Sequence, residues 1–173
     1  MAIGRSKAKF PGRPCRDAPP RWVSIDPASG KKPTVAVVWE ETEAVGFVEV
    51  RHESREDLQT LIIGCDALVL EGGGFVGVNA AAALGLERVR ERIETIAYYE
   101  GVTAVSVSPD QWRMVLRLPA RPRRRAVDAA RQLCMILGRP GTCPGSPLAA
   151  QATNDDKRAA FLIGWAALDA WGW

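Results

Sequence analysis

Histidine is almost absent from this sequence: His52 is the single histidine among 173 residues. A zinc site built from histidine and cysteine needs more ligands than His52 and four scattered cysteines offer. A serine–histidine–aspartate triad would have to use His52, which lies in a charged stretch (51–55) that favours a solvated turn. We therefore expect any chemistry in this protein to rest mainly on carboxylates.

The sequence also lacks paired cysteines and long apolar runs. None of the four cysteines forms a CxxC pair, and Cys65 and Cys134 lie in apolar surroundings that predict small core residues. No apolar run reaches the length of a membrane span, and the first residues lack the apolar core of a signal peptide. These absences favour a cytoplasmic protein.

Charge is unevenly distributed along the chain, although the formal net charge is only +3. No acidic residue occurs between positions 113 and 125, where arginines are frequent. Such a run is either a solvated face or a surface for a polyanion such as nucleic acid. The arginines of this region are Arg113, Arg117, Arg121, Arg123, Arg124, Arg125 and Arg131.

Two apolar segments each end in an acid that is followed by a strand breaker. Residues 22–26 end in Asp26 before a proline, and residues 67–71 end in Glu71 before three glycines. Both segments read as buried strands. If the strands are parallel neighbours, the two carboxylates meet at one edge of the sheet, where they repel each other unless a proton or a cation lies between them.

Hydrophobic periodicity predicts an alternating β and α order after a proline-rich, basic tail over residues 1–20, which we expect to be disordered. The first three strands are close enough in sequence for an antiparallel meander, and a crossover helix allows the fourth strand to lie parallel to the first. The predicted strands are 22–26, 34–39, 44–50, 67–71 and 102–107.

The helices follow from apolar spacing of three and four residues. The last of them opens with Asn154, a suitable N-cap, followed by Asp155 and Asp156, which suit the helix dipole as first-turn acids. Capping is therefore the structural interpretation of these two acids, and ligation of a cation is the functional one. The predicted helices are 53–63, 78–98, 109–116, 124–137 and one from about 154 onward.

The order of elements and acids resembles the ribonuclease H-like fold, and more narrowly the RuvC-type Holliday junction resolvases of bacteria and phages. The segment 24–29 (SIDPAS) resembles the opening acidic strand of the family, and Leu70-Glu71 its second acidic strand end. The segment 107–113, which ends in Arg113, resembles the family segment that ends in a catalytic basic residue. The segment 155–160 (DDKRAA) resembles its last acidic motif, although the family usually has a second ligand one helical turn later and Arg158 or Ala159 stands there.

This resemblance implies an α/β domain over residues 21–173 with a five-stranded mixed sheet flanked by helices. It implies a homodimeric, Mg²⁺-dependent endonuclease (Mn²⁺ can substitute) that cuts four-way or other branched DNA in DNA recombination, in a bacterial cell or a phage-infected host. Asp26, Glu71 and Asp156 would be metal ligands, with Asp155 as the alternate or fourth ligand. Arg113 would neutralise charge on the phosphate. DNA contacts would come from Lys31, Lys32, Phe75, Arg121, Arg123, Arg124 and Arg125, where Phe75 is either a base-stacking side chain or a core aromatic.

Three other interpretations stay open at the level of sequence. The protein can keep the fold and bind DNA without cutting it, or it can cut another substrate such as an RNA–DNA hybrid. The run Gly72-x-Gly74-x-x-Gly77 also matches a dinucleotide-binding fingerprint. Against that match, Glu71 would place negative charge beside a pyrophosphate, and the next strand ends without a ribose-binding acid.

Overall fold

A five-stranded mixed sheet forms the centre of the molecule in the computed structural model, which describes residues 9–72, 80–119, 121–142 and 146–173. The strands are β1 (Trp22–Asp26), β2 (Thr34–Glu40), β3 (Glu43–Val50), β4 (Ala67–Glu71) and β5 (Thr103–Val107). Their spatial order is β3, β2, β1, β4, β5. The pairs β1–β2 and β2–β3 are antiparallel, whereas β1–β4 and β4–β5 are parallel. The predicted meander followed by parallel strands is confirmed.

Five α-helices flank the sheet in the described part of the chain, as the apolar spacing predicts. The structure adds a short 3-10 helix over Pro147–Gln151, which is not among the predicted helices. Among the described helices, none has the length and apolar character needed to cross a membrane. The helices are α1 (Arg55–Ile62), α2 (Ala80–Tyr99), α3 (Pro109–Val115), α4 (Arg123–Leu137) and α5 (Asp155–Trp171).

Alternating side chains of the strands form two cores, one on each face of the sheet. On one face, Ile25 and Leu70 pack with residues of α1 and α2. On the other face, Trp22 and Val69 pack with residues of α3, α4 and α5. Asp26 and Glu71 belong by alternation to this second face, so the two acids lie on the side of the sheet that α3 and α5 cover.

Helix α5 lies unusually close to the strands, and a buried polar chain fixes it there. Ser24 Oγ donates a hydrogen bond to the Ala160 carbonyl oxygen (2.7 Å) and accepts one from Trp39 Nε1 (2.8 Å). A Cβ atom on Gly164 would lie 2.4 Å from an indole carbon of Trp39, so only glycine allows this approach. The polar chain and the close packing together set the position of α5, and with it the position of Asp156.

Residues 9–11 lie as a strap across α3 and α5. Gln111 Nε2 donates a hydrogen bond to the Lys9 carbonyl oxygen (2.7 Å), and Trp171 Nε1 donates one to the Pro11 carbonyl oxygen (2.8 Å). The ring of Phe10 meets the ring of Trp171 edge to face at 5.5 Å. The packed part of the chain therefore begins well before residue 21, and residues 1–8 lie outside the described residues.

The environment of His52 differs from the prediction of a solvated turn. The side chain of His52 is buried, with 8% of the residue surface exposed. Arg92 of α2 donates a hydrogen bond to the His52 carbonyl oxygen (2.7 Å), which ties the turn before α1 to α2. Cys65 and Cys134 are buried among apolar residues, as predicted.

Candidate functional site

Asp26 and Glu71 end neighbouring parallel strands at the same edge of the sheet. Ile25 and Leu70, the residues just before them, are direct partners in the β1–β4 register. Both acids keep part of their surface open to solvent, whereas the residues that precede them are fully buried. The structure thus places these two carboxylates together where the strands leave the core.

Asp155 and Asp156, which are neighbours at the start of α5, have different surroundings. The Asp155 side chain is 61% exposed and accepts a hydrogen bond from Arg158 Nη1 (2.8 Å). The charge of Asp156, in contrast, acts on Asp26. Asn154 caps the helix by accepting a hydrogen bond from the Lys157 amide (2.8 Å), so neither aspartate is needed as the N-cap.

The carboxylates of this edge repel one another. Burial raises the pKa of Asp26 well above its ordinary value, and the charges of Glu71 and Asp156 raise it further, while Lys32 and Arg113 oppose the shift. Burial also raises the pKa of Glu71, opposed by its hydrogen bond from Trp112 and by the charge of Arg113. Two nearby cations therefore leave the negative charge of the edge only partly compensated.

Both of these cations contact elements of the site. Arg113 lies on α3 with its guanidinium carbon 4.9 Å from the ring centroid of Trp112. Trp112 in turn donates a hydrogen bond from Nε1 to Glu71 Oε1 (2.8 Å). Lys32, in the β1–β2 loop, has its Nζ atom 3.6 Å from Asp156 Oδ2 and is 71% exposed. Lys31 beside it is exposed as well.

The donor set at this edge fits a hard divalent cation in its chemistry. Asp26, Glu71 and Asp156 offer carboxylate oxygens, which Mg²⁺ and Mn²⁺ prefer. A cation would also relieve the repulsion that raises the pKa of Asp26. Within the described ranges, however, no three acidic, histidine or cysteine side chains lie close enough together to form a finished metal cluster. The acids of this edge therefore match a divalent cation in the type of ligand atom and in charge.

The arginines from Arg121 to Arg125 lie on a different element from Arg113. Arg121, Arg123, Arg124 and Arg125 are all exposed, in the turn before α4 and in its first turn. The other half of α4 lies beside the start of α5, since the charge of Arg158 acts on the buried thiol of Cys134. From Arg123 to Cys134 a helix rises about 16 Å at 1.5 Å per residue. Arg123, Arg124 and Arg125 therefore lie at the opposite end of α4 from the part that meets α5.

An open groove of about 630 Å³ lies along this first half of α4. Its wall includes Arg124, Arg125 and Gln132, with Asp128 as the acidic member. The groove is larger than the second concavity described, of about 380 Å³ near Cys15, and neither adjoins the acidic edge. The shape and charge of the groove suit an extended anionic chain better than a small substrate.

Close packing around position 72 explains why glycine stands there. A Cβ atom there would lie 2.8 Å from Arg90 Cδ and 3.1 Å from Ser106 Oγ, so the backbone after Glu71 passes directly under α2. The rest of the fingerprint, Gly74 and Gly77, lies outside the described residues, and so does Phe75 with its predicted base contact.

Sequence reasoning missed the contact between Trp112 and Glu71. Trp112 is buried in the structure, with 2% exposure. The partner of an indole N–H is not encoded in any local pattern, because the two residues are 41 positions apart. The only available signal was that Trp112 stands next to Arg113, which was predicted to lie in the site.

Comparison with solved structures identifies the fold. The structure of Thermus thermophilus RuvC superposes with a TM-score of 0.55 at 14% identity, covering 84% of this chain and 92% of that chain. The fold is ribonuclease H-like. A second structure, T. thermophilus RuvC in complex with a Holliday junction substrate, has a TM-score of 0.51 at 15% identity, covering 86% of this chain and 93% of that chain. No protein-family model and no curated protein matches this chain by sequence.

Proposed function

We propose that this protein is a Mg²⁺-dependent endonuclease that cuts four-way or other branched DNA, with Mn²⁺ as a possible substitute for Mg²⁺. The observation that carries the proposal is that Asp26 and Glu71 end neighbouring parallel strands at one edge of the sheet, where the charge of Asp156 from α5 also acts on Asp26. The likeness of the fold to RuvC supports it, since one of those structures holds a Holliday junction.

The residues of this edge have distinct roles in the proposed hydrolysis. Asp26, Glu71 and Asp156 would hold the ions. Bound Mg²⁺ supplies an activated water and charge relief at the scissile phosphate. Arg113 would neutralise negative charge that develops on the phosphate, because its guanidinium already acts on Asp26 and Glu71. Lys32 would leave Asp156 for the phosphate, since it is exposed and free to move.

The arginines of α4 would hold the DNA backbone outside the cleavage position. Contacts from Arg121, Arg123, Arg124 and Arg125 to phosphates would be independent of sequence. Lys31 would add a contact nearer to the acids, and Phe75 is proposed to stack on an unpaired base.

Symmetric cutting of a four-way junction requires two copies of the site, and we propose a homodimer. The exposed side of α2 offers apolar surface for it: Leu84 is 53% exposed, Tyr98 81% and Tyr99 74%. The molar mass of the protein in solution, measured by sedimentation, tests this part of the proposal.

The activity itself is tested with labelled four-way junction, duplex and RNA–DNA hybrid in Mg²⁺. We expect the wild-type protein to cut the junction and the variant Asp26→Asn to bind it with unchanged affinity without cutting. Asp169→Asn, a matched change at an exposed acid of α5, should cut normally. Cutting by Asp26→Asn would remove Asp26 from the site, and cutting of the hybrid alone would assign a different substrate.

A second candidate is a DNA-binding protein of the same fold that does not cut. It is favoured by the engagement of Asp155 with Arg158 and by the lack of a finished three-ligand cluster among the described residues. A titration with Mn²⁺ distinguishes the two candidates. Binding that is lost in Glu71→Gln supports the enzyme, and no binding to the wild-type protein supports the non-cutting candidate.

A further inference from the structure

Trp112 makes a buried, directed contact with a carboxylate of the proposed site. Its Nε1 atom lies 2.8 Å from Glu71 Oε1, and only 2% of the residue is exposed. An indole N–H can only donate, and a buried donor without an acceptor is costly. The contact therefore constrains both partners. If the Glu71 carboxylate rotated so that Oε1 left the indole, the buried N–H of Trp112 would lose its acceptor.

Helix α3 holds the indole in place. Ser108 and Gln111 form a reciprocal cap at its start: Ser108 Oγ accepts from the Gln111 amide (3.3 Å), and Gln111 Oε1 accepts from the Ser108 amide (2.8 Å). The same Gln111 side chain donates from Nε2 to the Lys9 carbonyl oxygen of the strap. A short helix that is fixed at its first turn in this way gives Trp112 little freedom to follow a moving carboxylate.

We propose that Trp112 is a positioning residue that fixes the rotation of the Glu71 carboxylate. The bond to the indole directs Oε1, and the carboxylate held in this rotation would serve as the ligand to a cation. The proposal rests on the proposed metal site and assigns to Trp112 the part that outer hydrogen bonds play at metal ligands in general.

The face of the same indole carries Arg113. The guanidinium carbon lies 4.9 Å from the ring centroid, within the range of a cation–π contact. The edge of one ring thus orients a proposed metal ligand, while its face orients the cation proposed to meet the phosphate. Removing the N–H should affect metal binding, and removing the aromatic face should affect Arg113 as well.

The first test compares two tryptophan-to-phenylalanine variants by titration calorimetry with MnCl₂ in the absence of DNA. Trp112→Phe keeps an apolar ring and loses the N–H, and we expect about tenfold weaker Mn²⁺ binding. Trp171→Phe is the matched control, because its Nε1 donates to the Pro11 carbonyl oxygen and not to an acid. We expect Trp171→Phe to bind Mn²⁺ as the wild-type protein does. We also expect the two variants to have similar thermal stability.

The second test leaves the indole in place and does not depend on metal. Hydrogen exchange of the Trp112 indole N–H, followed by ¹⁵N-resolved NMR, should be at least about tenfold faster in Glu71→Ala than in the wild-type protein if the bond protects it. The Trp171 indole should be unaffected. This test stands even if Trp112→Phe fails to fold.

The outcomes separate this inference from the proposed function. A wild-type protein that binds no Mn²⁺ would reject the proposed metal site and this inference together. A wild-type protein that binds Mn²⁺, with Trp112→Phe binding equally well or Trp171→Phe losing as much, would overturn the role of Trp112 alone. Unchanged exchange in Glu71→Ala would show that the hydrogen bond does not form in solution.

Discussion

Two adjacent aspartates at the start of α5 have different environments because a helix turns by about 100° per residue. Asp155 is directed to Arg158, whose guanidinium also donates to the Thr153 carbonyl oxygen (3.0 Å). Asp156 is directed to Asp26 and to Lys32, and its side chain is 36% exposed. At the residue scale, therefore, Asp156 is the better candidate ligand and Asp155 the better stabiliser of the helix start.

This distinction predicts opposite results for two isosteric changes. Asp156→Asn should lower the cleavage rate about 100-fold or more, equivalent to about 2.7 kcal/mol of transition-state stabilisation. Asp155→Asn should cut at nearly the wild-type rate and lose a little thermal stability with the Arg158 pair. Single-turnover cleavage of labelled junction measures both. An equal loss of cleavage rate in the two variants would indicate that Asp155 and Asp156 both act as ligands.

How far the sequence predicts the site can be seen residue by residue. A carboxylate that closes an apolar strand is visible in sequence, so Asp26 and Glu71 could be found. The choice between Asp155 and Asp156 depends on which side of α5 packs on the sheet, and that is decided by contacts such as the one between Ser24 and Ala160, 136 residues apart. The hydrogen bond from Trp112 to Glu71 could not be predicted for the same reason, because it also joins residues distant in sequence.

At the scale of elements, α5 is the piece on which the site depends. It brings Asp156 to β1 by packing a glycine against the indole of Trp39 and by the hydrogen bond from Ser24 to its backbone. Two further contacts fix its first turn. Lys157 Nζ lies 3.2 Å from Glu49 Oε1 of β3, and Arg158 reaches back to Thr153.

Filling the contact between α5 and the sheet should damage stability. Gly164→Ala would place a methyl group 2.4 Å from the Trp39 ring, and we expect a loss of about 1–3 kcal/mol in the free energy of unfolding. Gly46→Ala in β3 is the control, because a methyl group there meets nothing within 4 Å. Urea denaturation measures both. Equal denaturation midpoints for the two variants would mean that α5 can shift to accommodate the methyl group without loss of stability.

The elements themselves were largely predictable, with two exceptions that have physical reasons. Strands and helices with a buried face leave a periodic apolar pattern, and the described ones begin and end close to the predicted residues. The 3-10 helix at Pro147–Gln151 is too short to show such a pattern. The strap at residues 9–11 lies in a proline-rich tail, and its anchor, Trp171, is distant in sequence.

For the molecule as a whole, the raised pKa values of Asp26 and Glu71 predict how stability depends on pH. The pKa values of Asp26 and Glu71 are raised above their ordinary values of 3.8 and 4.5, so the folded protein keeps these protons to higher pH than the unfolded chain does. The contribution of these groups to the free energy of unfolding is therefore highest at acidic pH and falls as pH rises through the raised pKa values.

We expect the metal-free protein to lose thermal stability from these groups as pH rises from about 4 towards neutrality, and Mg²⁺ to restore it there. At ten times the dissociation constant, the ion would add about 1.4 kcal/mol. Melting curves with EDTA and with Mg²⁺ across this range measure the effect. Asp26→Asn should flatten the pH dependence and weaken the Mg²⁺ response, and Asp169→Asn should not. A wild-type protein without a Mg²⁺ response would speak against the site.

The dependence of the site on α5 has a consequence for synthesis. Asp26 leaves the ribosome 130 residues before Asp156. At 5–20 residues per second, that interval is roughly 7–26 seconds. During this time a nascent chain would carry at most two of the three acids and would lack the helix that completes the pocket. The proposed nuclease would thus be inert while it is being translated, and it would become competent only when its last helix docks.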